Sequence, residues 1–166
     1  MKSRLVPVSC PFCAYSTMLK KETYAVASFD SRLKEQLYSG GYFRFRCPRC
    51  GQRSEYAHPM LYYDPGKRFV LLLNEENQTV RFDPDILCVQ THTAEDFKEQ
   101  LHILEDGLIP EEIARIKELL LQKNPEAHYR YDCFENDVLW FLCIREEGQG
   151  IIGVDKTKLA LTERNK

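Results

Sequence analysis

The chain has 166 residues, of which 43% are hydrophobic and 29% charged, and its net charge is −2. Such a composition suits one folded domain or a small module attached to a larger one, and it excludes a disordered chain. The longest apolar run, Phe69-Val70-Leu71-Leu72-Leu73, falls far short of the roughly 20 residues that span a bilayer. Met1-Lys2-Ser3-Arg4-Leu5 leads into no apolar leader core, so we expect no signal peptide and a cytoplasmic location.

Charge is uneven along the chain. Residues 1–68 hold 12 Lys and Arg against 5 Asp and Glu, a balance of +7, whereas residues 69–166 hold 11 against 20, a balance of −9. An asymmetry of this kind can mark an anion-binding half or two solvated surfaces that differ.

In chain order, residues 5–9 alternate weakly and lead as a strand into Cys10-Pro11-Phe12-Cys13. Residues 23–29 read as a strand. Asp30 can cap a short helix over 31–39, with Leu33 and Leu37 on one face, and Gly40-Gly41 stops it. Tyr42-Phe43-Arg44-Phe45-Arg46 alternates into Cys47-Pro48-Arg49-Cys50-Gly51, and residues 54–57 return from it. Asp64-Pro65-Gly66 is a turn by residue type. Residues 68–73 form a strand, residues 74–78 turn, residues 79–82 pair back, and residues 86–91 form a further strand. Thr93 and Asp96 imitate a capping box before a helix bearing Phe97, Leu101 and Leu104, which Gly107 ends. Pro110 and Glu111-Glu112 open a second helix that runs through Lys123, with Ile113, Ile116 and Leu120 on one stripe.

The last part reads as a hairpin, 127–134 against 138–145, around Asn136-Asp137. Pairing Phe134 with Leu139 sets Cys133 opposite Trp140 and Cys143 opposite Arg130. The two cysteines then lie on opposite faces, which argues against a disulfide between them. Residues 150–154 form a last strand.

Chemistry concentrates in the two Cys-Pro-x-Cys knuckles. Two thiols two residues apart grip one face of a metal ion, and two such pairs complete a tetrahedron. Seven cysteines leave an odd number for disulfides. We therefore assign Cys10, Cys13, Cys47 and Cys50 to one metal ion, and Cys88, Cys133 and Cys143 to packing. Four thiolates suit zinc, with iron as the second choice, and a fully occupied shell makes the ion structural. Strand, knuckle, strand is the plan of a zinc ribbon, here with 33 residues between the knuckles. Ala14 stands where a glycine would ease the turn.

Two other chemistries compete. Cys-Pro-Phe-Cys is similar to the active-site pair of glutaredoxins, but thiol exchange needs a helix directly after Cys13. Arg44, Arg46, Arg49 and Arg53 interleave with Tyr42, Phe43, Phe45 and Tyr56, as in a single-stranded nucleic-acid surface. The plainer explanation is that the aromatics pack inward while the arginines offset the charge of a tetrathiolate. His58, His92, His102 and His128 lack metal-ligand spacing, and turn chemistry accounts for Asp83-Pro84-Asp85. We expect no enzymatic activity.

The knuckles, followed by Leu61-Tyr62-Tyr63-Asp64 and by Glu105-Asp106-Gly107-Leu108 leading into a helix over 113–120, give the chain a pattern that resembles the CpXC family over roughly residues 8–122. The resemblance implies a bacterial protein with a zinc ribbon and an α+β body, and it supplies no activity. We thus expect an α+β fold, with a zinc-ribbon-like module (1–68) carrying a long inserted strand–helix segment, packed on a body (69–166) of a small sheet with two or three helices, the alternative being that both parts form one compact domain. We expect one structural zinc ion and a protein-interaction or adaptor role. Binding of single-stranded nucleic acid through residues 42–53 stands second, and thiol–disulfide exchange third. We expect no membrane contact.

Overall fold

The computed structural model of the chain describes residues 2–28, 31–74 and 82–157. The fold is α+β, and the chain divides into two compact units, Met1–Leu101 and His102–Lys166.

In the first unit, β1 (Lys2–Ser9) and β2 (Ser16–Val26) form an antiparallel hairpin closed by the first knuckle. Val6 and Val8 turn inward while Leu5 and Pro7 stay exposed, as alternation in a half-buried strand requires. Then come α1 (Ser31–Tyr38), which buries Leu33 and Leu37, and the short strands β3 (Arg44–Arg46) and β4 (Arg53–Glu55) that flank the second knuckle. β5 (Met60–Asp64) runs parallel to β2, β6 (Phe69–Leu73) antiparallel to β5, and β7 (Leu87–Thr91) parallel to β6. The sheet order is β1-β2-β5-β6-β7, so residue 68 lies in the connection between two paired strands. All five residues of β6 are buried, the mark of a strand covered on both faces.

Helix α2 (Ala94–Glu105) starts on the expected cap: Asp96 N–H donates to Thr93 Oγ1 at 3.0 Å, and Thr93 Oγ1–H donates to Asp96 Oδ2 at 2.7 Å. It ends in a Schellman turn, in which Leu108 N–H reaches Ile103 O and Gly107, at φ 69°, reaches Leu104 O.

The second unit places α3 (Pro110–Lys123) against a sheet of order β10-β9-β8, built from β8 (His128–Glu135), β9 (Val138–Arg145) and β10 (Gly148–Asp155). Ile113, Tyr129, Tyr131, Leu139 and Phe141 form its core. Asn136 and Asp137, at φ 53° and 61°, make the two-residue turn that joins β8 to β9.

Several expectations shift. β1 and β2 are longer than the sequence suggests. Tyr42 and Phe43 lie in a 3₁₀ turn, Gly41–Phe43, so the strand before the second knuckle is only Arg44–Arg46. Cys133 does face Trp140, but β8 bulges between Tyr131 and Cys133, so Cys143 faces Tyr129 instead of Arg130. The opposite-face conclusion survives, because Trp140 and Cys143 lie three apart on β9, and both cysteines are free. The Asp30 cap and most of the expected turn and return strand (75–81) fall outside the described residues, and Phe82 is not in a strand.

Candidate metal centre

The two knuckles repeat one backbone design. Cys10 N–H donates to Tyr15 O at 2.8 Å and Ala14 N–H to Cys10 O at 3.0 Å; Cys47 N–H donates to Gln52 O and Gly51 N–H to Cys47 O, both at 2.9 Å. The residue after each second cysteine is left-handed: Ala14 has φ 55° and Gly51 has φ 72°. These turns aim all four thiols towards one another.

The Sγ atoms of Cys10, Cys13, Cys47 and Cys50 all lie within 4.8 Å of one another. Two edges of the cluster join the knuckles, Cys10 to Cys50 and Cys13 to Cys47, each at 3.6 Å. A tetrahedron with metal–sulfur bonds of about 2.3 Å has edges of about 3.8 Å, so the cluster already has the size of a four-thiolate shell. Below it, Val8, Cys10, Phe45 and Cys47 form a small buried core, with Tyr15, Leu19 and Tyr56 packed against it. This core ties the β1–β2 hairpin to the β3–β4 hairpin. Among the described residues, this is the one group of three or more His, Cys, Asp or Glu side chains placed to hold a metal ion.

Electrostatics within the cluster favour a cation. Burial pushes the Cys47 thiol up, but the N–H groups of Cys50 and Arg49, together with the neighbouring thiols of Cys50 and Cys13, outweigh this and bring it down to about 7. At Cys50 the N–H of Gln52 lowers the value, yet burial and the three other thiols carry it up to about 12. Cys13 has a similar balance: the N–H of Tyr15 lowers it, burial and the Cys47 and Cys10 thiols raise it, and the net direction is up. One thiolate forms readily, and further ones need a positive ion among them.

The arginines flagged with this site are placed on its outside. Arg44 and Arg46 are exposed on β3, opposite Glu55 and Arg53 respectively, and Arg49 is exposed in the second knuckle. The aromatics between them point the other way. Tyr42, Phe43 and Phe45 are buried, with Phe43 edge-on to both Tyr42 and Phe97. Among the described residues, the exposed aromatic is Phe12, at 63%, in the first knuckle. β2 follows that knuckle, so the helix that thiol exchange requires is replaced by a strand. His58, which spacing alone did not distinguish, is buried beside Tyr56. Its Nε2 lies 3.2 Å from Glu22 O, Nδ1 has no hydrogen-bond partner, and burial pushes its pKa down.

The sequence profile of the CpXC protein family matches residues 8–117, and the chain belongs to that family. The match begins before the first knuckle and ends within α3, so it takes in all four thiols. No curated protein and no solved structure matches the chain.

Proposed function

For a CpXC-family chain with this cluster, we propose that Cys10, Cys13, Cys47 and Cys50 hold one zinc ion and that the ribbon it clamps serves as a protein-interaction module. The observation that carries the reading is the closure of the cluster: four sulfurs from two knuckles, mutually within 4.8 Å. Such a shell leaves no position for water or substrate, so the ion stabilises and does not catalyse. Zinc fits better than other divalent ions because soft thiolates in a tetrahedron select it, with iron the alternative. We propose no enzymatic reaction and a cytoplasmic setting; among the described residues, no helix is long and apolar enough to cross a membrane.

The contact surface would be the outer face of β3–β4, Arg44, Arg46 and Arg53, with Arg49 beside it. Arg46 and Arg53 stand directly across from each other, a like-charge pair that an acidic partner segment would relieve. The nucleic-acid alternative loses three of its four stacking aromatics, because Tyr42, Phe43 and Phe45 are buried and Tyr56 alone of the set is half-exposed. A fluorescent single-stranded ten-nucleotide oligonucleotide titrated at low salt separates the two. We expect no saturable binding. Binding that weakens as salt rises and disappears in an Arg44→Ala/Arg46→Ala variant would replace the protein-partner reading with the nucleic-acid one.

A further inference from the structure

The second unit holds a feature unrelated to the thiols. β10 is an edge strand of eight residues whose pairing with β9 runs without a register shift. It contains no proline and no lysine or arginine, the devices that usually block an edge. Ile151 on it is 67% exposed. The other edge of that sheet, β8, is bulged and carries Arg130 and Asp132.

Next to this edge, which pairs with no second strand among the described residues, lies a cavity of about 310 Å³ lined by Cys143, Arg145, Glu147, Gly148, Gly150 and Ile152 among others. Its floor follows from register. Gly148 pairs with Arg145 and Gly150 with Cys143, so two positions on that face of β10 carry no side chain. Nothing lies within 4 Å of where a Cβ would sit on either glycine. The result is a trough running from the open edge across β10 to Arg145.

Arg145 is held at the head of the trough. With its amide oxygen turned to the guanidinium, Asn124 at the end of α3 accepts from Arg145 Nη2 at 2.9 Å and from Nε at 3.1 Å. The Tyr129 phenol beside it is pushed up by burial and stays neutral. Neither partner cancels the guanidinium charge, and among the described residues no carboxylate pairs with it.

We propose that β10 accepts an extended peptide segment of a partner protein as an added strand, and that an acidic side chain of that segment lies across Gly148 and Gly150 to meet Arg145. Strands add at about 4.8 Å, and alternate side chains of an added strand fall on the trough face, so main-chain pairing supplies affinity and Arg145 supplies selection. Charge complementarity singles out this occupant over a second copy of β10, whose positions 148, 150, 152 and 154 on the trough face carry no acidic group and whose one acidic residue, Asp155, alternates to the other face. The proposal goes beyond the ribbon reading and is read at different residues, so either can fail alone.

The test uses the full chain, labelled with ¹⁵N, and two blocked pentapeptides of alternating Val and Thr, one with Glu and one with Gln at the centre. We expect the Glu peptide to shift the amides of residues 148–152 and the Arg145 Nε signal, and to bind about five-fold more tightly than the Gln peptide. Arg145→Gln should remove that preference while weak binding of both peptides persists. Gly150→Val, with the sheet's amide dispersion intact, should likewise remove the preference, because its side chain fills the trough while the main chain still pairs. Equal affinities for the two peptides, or no shifts at millimolar peptide, would overturn the proposal. So would outward-facing β10 amides, those not bonded to β9, that are already protected from exchange in the free chain, or β10 amides that shift with protein concentration alone, since the edge would then be occupied by this chain or its copy.

Discussion

Ala14 has φ 55° at the position where the second knuckle has Gly51 at φ 72°. A Cβ in the left-handed region costs roughly 1 kcal/mol, and both turns make the same hydrogen bonds. Ala14→Gly should therefore raise stability by about 1 kcal/mol in denaturant unfolding of the metal-loaded chain, and Gly51→Ala should lower it by a similar amount. The thiols give a pH prediction. Cys50 at about 12 and Cys13 above its ordinary 9 are protonated at neutral pH in the metal-free fold. Both must lose a proton to bind, so the metal-bound state holds fewer protons than the metal-free one. Stability contributed by the ion is present at higher pH and is lost as pH falls. Competition with a chromophoric chelator should show zinc affinity dropping by about 100-fold per pH unit below neutrality, as release of two or more protons requires. A pH-independent affinity would mean that these thiols do not ligate. The four cysteines and the Ala14 anomaly were legible in the sequence because each rests on residue type and spacing. The Arg145 trough was not, since it needs the strand register that sets Arg145 beside Gly148.

At the scale of elements, legibility followed the strength of local chemistry. Thr93 with Asp96, Gly107, Pro110 and Asn136-Asp137 each mark a boundary through one backbone requirement, and each boundary lies where those residues place it. Tyr42 and Phe43 misled because an alternating run reads as a strand, whereas Gly40 at φ 72° and the bonds of Tyr42 OH with Glu22 hold them in a 3₁₀ turn. The bulge before Cys133 left no local trace, since alternation reports which face a side chain takes and not a residue inserted between pairs. Two substitutions test these elements by thermal unfolding. Asp137→Gly should stabilise the β8–β9 turn by about 0.5 kcal/mol, because glycine adopts the positive φ that Asp137 holds at 61°. Gly153→Ala should destabilise by about 1–2 kcal/mol, since the new Cβ would stand 2.9 Å from Val138 Cγ1 and 3.0 Å from Trp140 Cζ3.

For the whole molecule, knuckles separated by 33 residues draw β1–β2 and β3–β4 together over a core that, among the described residues, has four buried members. So small a core would leave the proposed metal ion a large share of the stability of the contact between the two hairpins. Cys47→Ser should therefore lower the melting temperature far more than Cys88→Ser, because Cys88 is exposed on β7 and outside the cluster. The second unit has its own core around Phe141 and Tyr131, and after chelation its amides should keep their exchange protection while those of β1–β4 lose it. The parallel pairings of β2 with β5 and of β6 with β7 join segments distant in sequence, which no local pattern announces. The most direct test of the central claim is native mass spectrometry of the chain purified from zinc-replete cells, with thiol alkylation before and after chelation. The expected result is one zinc ion per chain and four thiols that become reactive only when the ion is removed. A metal-free chain, or an alkylation pattern that chelation leaves unchanged, would contradict it.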